Sequence, residues 1–504
     1  VNPFELFAQS AKRYPQRVAL KDDGESLTYE EVLTRVELLA ASLQSQGMHD
    51  GSRIAILAPN CNLALVGALA VFRLGAVWVP LNVRNSTQDN IGYMKRCNVD
   101  ALLWDSETWD EAYAISAGLS ESVRLTALDS REDSRALHEL SSAPDQVCAM
   151  LSTGGTTGSP KAVIWTNRVF QTMVCSFWIH LPDQTPGVYL AATPLTHAAG
   201  VIAFCLLARG ATVLIHRGVN PPLLLAAIEK ERVTHLFLPP TAIYSLLLHP
   251  EVASGDYSSL RYFIYSAAPM APQKIREAVD VFGPVMVQLY GQAEVPLMAT
   301  VLTPAEHAEC LAGVGPERLS SCGRSTLLVE LEILSPNGHI VPDGERGEIA
   351  IRSDLVMAGY YAHPAESEEV SRFGWHHTGD VGYRDSEGYV YVVDRIKDMI
   401  ITGGFNVFSS EVEQVVLSHP AVQDCAVVGQ PDEKWGEAVT AVLQLKPGAE
   451  LDINEIRAMC RERLGGVMAP KHYYVWDELP RSPVGKVVKR AVREHFWKGK
   501  ERRV

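Results

Sequence analysis

The sequence predicts an α/β protein. It expects a large N-terminal domain of layered, mostly parallel sheets with helices, a barrel-like β subdomain, and a small α+β C-terminal domain. Three observations predict this. Apolar strand-like runs alternate with helical patterns through the first three hundred residues. Near residue 330 the texture turns to strand, Pro-Asn-Gly turn and strand in "LLVELEILSPNGHIVPDGERGEIAIRS". After "VYVVDRIKDMI" it changes again, to roughly a hundred residues of mixed helix and strand, an ordinary domain size. The expected division is residues 1–396 and 397–504.

The elements follow in order. Phe4, Phe7, Ala8 and Ala11 fall on one helical face, and Pro15 ends the pattern. "VALKDDGESLTY" reads as a hairpin turning at Asp23-Gly24. Thr28 and Glu31 form a capping box before a helix carrying Val32, Val36, Leu39 and Leu43. "RIAILAP" is a continuous apolar strand of the kind buried on both faces. "AVWVPL", "THLFLPP", "RYFIYSAAPM" and "VMVQLYG" continue the strand series. In the C-terminal unit, Ser410 and Glu413 suggest a capped helix through Val416. "AVQDCAVVG", "AVTAVLQLKPG" and "KHYYVWDEL" read as strands, and "INEIRAMCRERL" as a helix. The basic tail from Gly485 reads as a solvated helix end, with Lys489 on it.

Composition narrows the function. A chain of 504 residues is too long for one core and suggests two to four folded units. A net charge of −14 argues against a general nucleic-acid binder, which needs a basic face. The nine cysteines are scattered without a C-x-x-C pair, which fits a reducing compartment and no zinc site. The apolar runs "LALVGALAVF" and "AAGVIAFCLLA" are too short to span a bilayer, and no signal-peptide pattern is visible at the N-terminus. A cytoplasmic protein, monomer or homodimer, is expected.

One loop carries the clearest chemistry. "STGGTTGSPK" begins at Ser152, between the apolar runs "VCAML" and "AVIW". Glycines let the backbone approach a ligand closely, and successive free N–H groups form an anion nest. Hydroxyls add donors and Lys161 adds charge, so the loop reads as a phosphate grip. It is not a Walker A loop, because Pro160 precedes the lysine and Ala162 follows it.

The loop resembles the phosphate-binding signature T-S-G-T-T-G-x-P-K-G of the adenylate-forming superfamily. That superfamily includes acyl- and aryl-CoA synthetases, peptide-synthetase adenylation domains and firefly-type luciferases. The likeness continues in order through "LGAVWVPLN", "PLTHAAG", "YSAAPM", "YGQAE", "GWHHTGD", "DRIKDMIITGGFNVFSSEVE" and "SPVGKVVKR". It implies an ATP- and acyl-binding domain followed by a mobile catalytic lid. It also implies MgATP and coenzyme A as ligands, with a small carboxylic acid as substrate. Thr153, Gly154, Gly155, Thr156, Thr157, Gly158 and Lys161 are then the phosphate grip. Glu294, with Thr156, is the magnesium ligand. Asp380 and Arg395 hold the ribose, and Ala267, Ala268 and Tyr290 wall the adenine. Lys486 is the mobile catalytic lysine and Lys397 the hinge. Gly403, Gly404 and Trp435 line the thiol channel. His197, Val201, Tyr265, Ser266, Gln292 and Val295 form the acyl pocket, and His197 is also a candidate catalytic or gating residue.

The sequence departs from that pattern in places. Gly154 stands for the usual Ser, and Ala162 for the final Gly. Ala293 stands where a Thr hydroxyl is usual, and Asp394 and Ser409 replace a usual Gly and a common Pro. The resemblance favours an acyl-CoA ligase for a fatty or aryl acid. Its alternatives are a luciferase-like or stand-alone adenylating enzyme with another acceptor, and a nucleotide-binding relative impaired by Ala293.

Overall fold

The computed structural model describes residues 1–119, 123–130, 137–140, 142–153, 161–481 and 487–498. Parallel strands need cover on both faces, and the chain builds two sheets that have it. In the first, Val18–Lys21, Thr212–Ile215, Val188–Ala191, His235–Leu238, Tyr262–Tyr265 and Met286–Tyr290 run parallel. Antiparallel strands Ser26–Thr28, Thr300–Leu302 and Arg324–Ser325 finish its two ends. In the second, Val147–Ser152, Val77–Leu81, Arg53–Leu57, Ala101–Trp104 and Arg124–Ala127 are parallel. Ala162–Thr166 and Gly359–Tyr360 add an antiparallel edge.

Strand alternation sorts the apolar side chains into layers. Ile54 and Ile56 face a core shared by both sheets, while Ala55 and Leu57 face an outer one. Helices Asn62–Arg73, Asn167–His180 and Ala198–Leu207 fill the shared layer. At its centre Phe72, Trp78, Phe170 and Phe204 pack mostly edge to face, with neighbouring centroids 5.5–6.0 Å apart. Burial of each such side chain contributes about 1.5–3 kcal/mol. Helices Thr87–Cys97 and Trp109–Ala117 cover the outer face of the second sheet. Helices Pro221–Lys230, Pro240–Leu247 and Pro272–Phe282 cover that of the first. The two long apolar runs of the sequence are therefore inner helices. Among the described residues no helix is long and apolar enough to cross a membrane. All nine cysteines are free thiols, and Cys175 alone is exposed.

The expected hairpin and the Thr28–Glu31 capping box are present. Beyond residue 330 an antiparallel sheet forms from Glu330–Leu334, Gly347–Arg352, His376–Arg384 and Val390–Arg395, in that order. The small C-terminal domain pairs Val422–Asp432 with Gly436–Leu445, and His472–Val475 lies parallel to the latter. Helices Ser409–Leu417 and Ile453–Met468 share its core through Val412, Val416, Ile456 and Cys460.

Two readings of this region need correction. Ser410 and Glu413 do not form a capping box. The helix already begins at Ser409, so Ser410 lies inside it, and its cap comes from the neighbouring strand. Asp394 Oδ2 accepts from Ser409 Oγ at 2.7 Å and from the Ser410 N–H at 3.2 Å. A carboxylate placed there satisfies free helix N–H groups and opposes the helix dipole. Nor is Lys489 a solvated tail lysine. Its ammonium lies 2.8 Å from Glu413 Oε2 and 2.8 Å from Ser409 Oγ, and the paired side chains are only 18% and 14% exposed. Burial pulls the Lys489 pKa down, but the Glu413 and Asp394 carboxylates outweigh it and raise it above its usual value.

Two outcomes are expected. Lys489→Met leaves Glu413 buried without its ammonium, with only the Val427 N–H, among the described residues, still donating to it at 2.8 Å, and lowers the local stability of the helix Ser409–Leu417 by ~3 kcal/mol. Hydrogen exchange of that helix measures the loss, and Glu413→Leu in the same chain restores much of it. The second outcome concerns acid. Burial lowers the pKa values of His235, His307 and His376 to about 4. Both ring nitrogens of His376 lack a hydrogen-bond partner. Each imidazole is neutral in the fold and titrates near 6.5 when unfolded. Between pH 6.5 and 4 the unfolded chain therefore binds protons that the folded chain does not. Stability falls as pH falls through that window, by up to about 1.4 kcal/mol per pH unit for each group. Urea midpoints at pH 7.5 and 5.5 should show the fall, and His376→Met should flatten it.

Candidate active site

Ligands of open parallel sheets gather at the carboxyl ends of the strands. In the first sheet, four parallel strands end together and deliver the segments singled out in the sequence. Val188–Ala191 leads to Pro194–His197, Tyr262–Tyr265 to Ser266–Ala268, and Met286–Tyr290 to Gly291–Glu294. His235–Leu238 ends between them at Pro239.

Two glycines are fixed by close approach. A Cβ on Gly291 would lie 2.6 Å from the Val295 oxygen and the Leu297 nitrogen. One on Gly200 would lie 1.9 Å from the Leu195 oxygen. Ala267 adopts φ +74°, a left-handed conformation that costs a non-glycine residue of order 1 kcal/mol. Its side chain is exposed at the lip of the site and Ala268 is partly buried beside it.

Asp380 is the hub. It is 4% exposed and sits opposite Arg395 in the register of two adjacent strands. Arg395 Nε lies 3.1 Å from Oδ1. On Oδ2, the Tyr290 hydroxyl and the Gln292 amide each donate at 2.7 Å. The same amide nitrogen donates to the Thr378 carbonyl at 2.9 Å. Burial, and then the Asp380 carboxylate, raise the Tyr290 pKa far above the usual range, so the hydroxyl stays protonated and donates. This one carboxylate joins the antiparallel sheet to the end of the parallel one.

Four residues beyond Tyr290, Glu294 is held from three sides. Its carbonyl accepts the Met357 N–H at 2.8 Å, and its Oε1 accepts the Tyr360 hydroxyl at 2.8 Å. The preceding carbonyl, of Ala293, accepts the Trp165 indole N–H at 2.7 Å. Lys161 also meets Tyr360, its ammonium over the ring at 4.7 Å from the centroid. The base of the predicted phosphate loop is closed by two hydrogen bonds. The Thr153 N–H donates to the Lys161 carbonyl at 3.0 Å, and the Lys161 N–H to Thr153 Oγ1 at 3.1 Å. Gly154, Gly155, Thr156, Thr157, Gly158 and Lys486 lie outside the described residues.

The Glu294 side chain fits a magnesium ion. The ion prefers hard oxygen and is usually bound by one or two carboxylates plus substrate phosphates. Glu294 offers a partly buried carboxylate with Oε2 unengaged among the described residues. No group of three His, Cys, Asp or Glu side chains suited to a metal occurs among those residues.

The predicted acyl-pocket residues divide. Val201 and Val295 share the core between the sheets, and Ser266 is buried at the end of its strand. Tyr265 is not with them. Strand alternation turns Ile264 into the inner core and Tyr265 into the outer one, where its hydroxyl meets His307 Nε2 at 2.9 Å and Gln288 at 3.1 Å. The Gln292 amide points to Asp380. His197 precedes the helix Ala198–Leu207, its Nδ1 2.8 Å from Thr196 Oγ1. Its ring is surrounded by protein but open to solvent on one side, and desolvation lowers its pKa. Gly403 and Trp435 meet in the small domain, where the Gly403 N–H donates to the Trp435 carbonyl at 2.8 Å. A Cβ on Gly403 would strike the indole at 2.6 Å, and Gly404 follows with φ +83°. Lys397 lies in the turn Ile396–Asp398 between the Val390–Arg395 strand and the small domain.

Tyr360 was absent from the sequence reading, and Trp165 entered it only as the end of the apolar flank "AVIW", with no role of its own. The available signal was the "AGYY" stretch after residue 356, whose short strand pairs with the one that follows Lys161.

Comparison with known proteins accords with this geometry. Residues 7–361 match the family model of AMP-binding enzymes, and residues 411–486 match that of the AMP-binding enzyme C-terminal domain. A medium/long-chain-fatty-acid–CoA ligase of Mycobacterium tuberculosis is 42% identical over 72% of this chain and 63% of its own length. A feruloyl-CoA synthase of Amycolatopsis sp is 35% identical over 96% of this chain and 97% of its own. Among solved structures, an amide bond synthetase from Marinactinospora thermotolerans superposes with a TM-score of 0.88, at 31% identity over 98% of this chain and all of that one. An O-succinylbenzoate coenzyme A synthetase from Bacillus subtilis, solved with ATP and magnesium, gives 0.86 at 28% identity, over 97% of this chain and 98% of that one. The chain belongs to the AMP-binding, adenylate-forming enzyme family and stands nearest its acyl- and aryl-CoA ligases.

Proposed function

We propose that this chain is an acyl-CoA ligase for a fatty or aryl acid. The observation that carries the reading is the line of groups from Asp380 through Tyr290 to Glu294 and Lys161. On this reading Asp380 is the polyol-binding carboxylate, Glu294 the hard-metal ligand and Lys161 the phosphate-binding cation.

In the first half-reaction the substrate carboxylate oxygen attacks the α-phosphorus of ATP. The bond from that phosphorus to the bridging oxygen breaks, and pyrophosphate leaves. The carboxylate is already a competent nucleophile, so the protein supplies position and charge. Asp380 and Arg395 hold the ribose. Ala267, Ala268 and Tyr290 flank the adenine. Lys161 and the loop from Thr153 take the departing phosphates. Lys486 neutralises charge at the α-phosphate and the attacking carboxylate. A magnesium ion on Glu294 would add Lewis-acid charge at the phosphates. In the second half-reaction a thiol attacks the acyl carbonyl, the bond to the phosphate oxygen breaks, and AMP leaves. Turning of the small domain about Lys397 would withdraw Lys486 and bring Gly403, Gly404 and Trp435 to the cleft for the pantetheine arm. The acyl group lies near His197, Val201, Ser266 and Val295. A neutral His197 suits an apolar acid at this end.

A second reading has an amine in place of the thiol. It is favoured by the likeness to an amide bond synthetase over nearly the whole chain.

AMP release from MgATP is measured across aliphatic and aryl acids, with CoA, with simple amines, or with neither. Acid-dependent AMP with matching acyl-CoA supports the ligase. Amide without thioester moves the acceptor to the second reading, and no AMP with any acid sinks both. Lys486→Ala should lower kcat for adenylate formation by about 10²–10³-fold, with the KM for ATP changed only a few-fold. Asp380→Ala should instead raise the KM for ATP, by at least tenfold.

A further inference from the structure

We propose that Tyr360 is a positioning residue of this site, a spacer that holds the Glu294 carboxylate and the Lys161 ammonium apart and in register for a metal–triphosphate. The inference rests on the nucleotide-binding reading above and adds a residue to it.

Lys161 and Glu294 carry opposite charges, and if free to meet they would tend to pair and close the place that phosphates and a metal ion need. One side chain, Tyr360, contacts both. The Tyr360 hydroxyl donates to Glu294 Oε1 at 2.8 Å, and its ring faces the Lys161 ammonium at 4.7 Å. The first contact orients the carboxylate, and the second holds the cation over an electron-rich face without neutralising it. Burial, and then the Glu294 charge, raise the phenol pKa far above its usual range, so it remains a donor.

The backbone makes this placement rigid. Gly359 and Tyr360 pair with Ile164 and Val163, on the strand that begins just after Lys161. The Tyr361 N–H donates to the Ala162 carbonyl at 2.9 Å, and the Ala358 N–H to the Ile164 carbonyl at 3.0 Å. On the other side, the Met357 N–H holds the Glu294 carbonyl. The Tyr360 N–H donates to Ser367 Oγ at 2.8 Å, which ties it to the helix Pro364–Glu369. The segment around residue 360 thus touches the phosphate strand and the metal carboxylate at once. A shift in either would be felt by the other.

The test uses the full chain and two substitutions. Tyr360→Phe keeps the ring and removes the hydroxyl, and Tyr360→Leu removes both contacts. Calorimetry measures binding of a non-hydrolysable ATP analogue with and without magnesium, and of AMP. For Tyr360→Phe we expect magnesium-dependent binding of the analogue to weaken by about three- to tenfold, with AMP affinity and the thermal midpoint unchanged. For Tyr360→Leu we expect an added loss of analogue affinity even without magnesium, because Lys161 is no longer held. Unchanged analogue binding in Tyr360→Phe overturns the proposal. So does an equal loss of AMP affinity, which marks a merely structural role. If Tyr360→Leu does not fold, the Phe variant decides alone. If the unmodified chain binds neither analogue nor AMP, it is the nucleotide reading itself that fails.

Discussion

A buried carboxylate left without donors strongly destabilises its surroundings. Asp380 is the buried carboxylate at this site. It lies at the seam between the antiparallel sheet and the carboxyl end of the parallel one. Three donors from two segments meet on it, Arg395 on one oxygen and Tyr290 and Gln292 on the other. Without Asp380, the Tyr290 hydroxyl loses its acceptor and the turn that carries Glu294 loses an anchor. A carboxylate offers about four acceptor positions, and three are used. A ribose diol would therefore take the free position and displace one neutral donor. Gln292 is the donor with somewhere else to go, since its amide already reaches the Thr378 carbonyl. Asp380 can thus be structural before a nucleotide arrives and a ligand contact afterwards.

The same economy appears at Glu294. The turn that presents it is short and close-packed at Gly291, so its direction is set by what pins the backbone. Trp165 takes the Ala293 carbonyl and Met357 the Glu294 carbonyl. On the proposed nucleotide-binding reading, Ala293 in place of the usual Thr would remove one donor toward the phosphates. It does not loosen the turn, because both anchors act on the main chain.

Much of this was legible in the sequence where the information is local. Alternating strands and helices and the Thr28–Glu31 box each announce themselves within a few residues. The order of motifs placed Asp380, Tyr290 and Glu294 before any geometry was known. What the sequence did not show is partnership. Tyr360 meets Glu294 across 66 residues, Trp165 meets Ala293 across 128, and Lys489 meets Ser409 across 80. Strand order decides those meetings, and no short pattern encodes it. Local signals also mislead when a distant group outcompetes them. The Ser410–Glu413 spacing looks like a cap, yet Asp394 supplies the cap while Glu413 turns to Lys489. The tyrosine of "YSAAPM" reads as pocket lining, yet the strand's alternation sends it to the opposite face.

The joint between the domains shows how a firm contact can also be a releasable one. Ser409, Ser410, Glu413 and Lys489 all belong to the small domain, and Asp394 belongs to the strand that leads into the turn Ile396–Asp398. Suppose the small domain turns about Lys397. The Lys489–Glu413 pair then travels as a unit, with its charges still matched. Among the described residues, the Asp394 cap, the Ser410 hydroxyl on the Val393 carbonyl, and Arg346 with its Glu411 pair and Phe408 ring contact are left behind. A lost cap costs about 0.5–2 kcal/mol, and an exposed ion pair at most about 1. Asp394 keeps the Arg395 N–H as a donor at 2.8 Å, and its second oxygen can be met by water once the helix has moved. The expensive charges are thus neutralised within the moving part, and the contacts that must break are cheap. A buried ion pair spanning the hinge would have locked it. One confined to a single side leaves it free to turn.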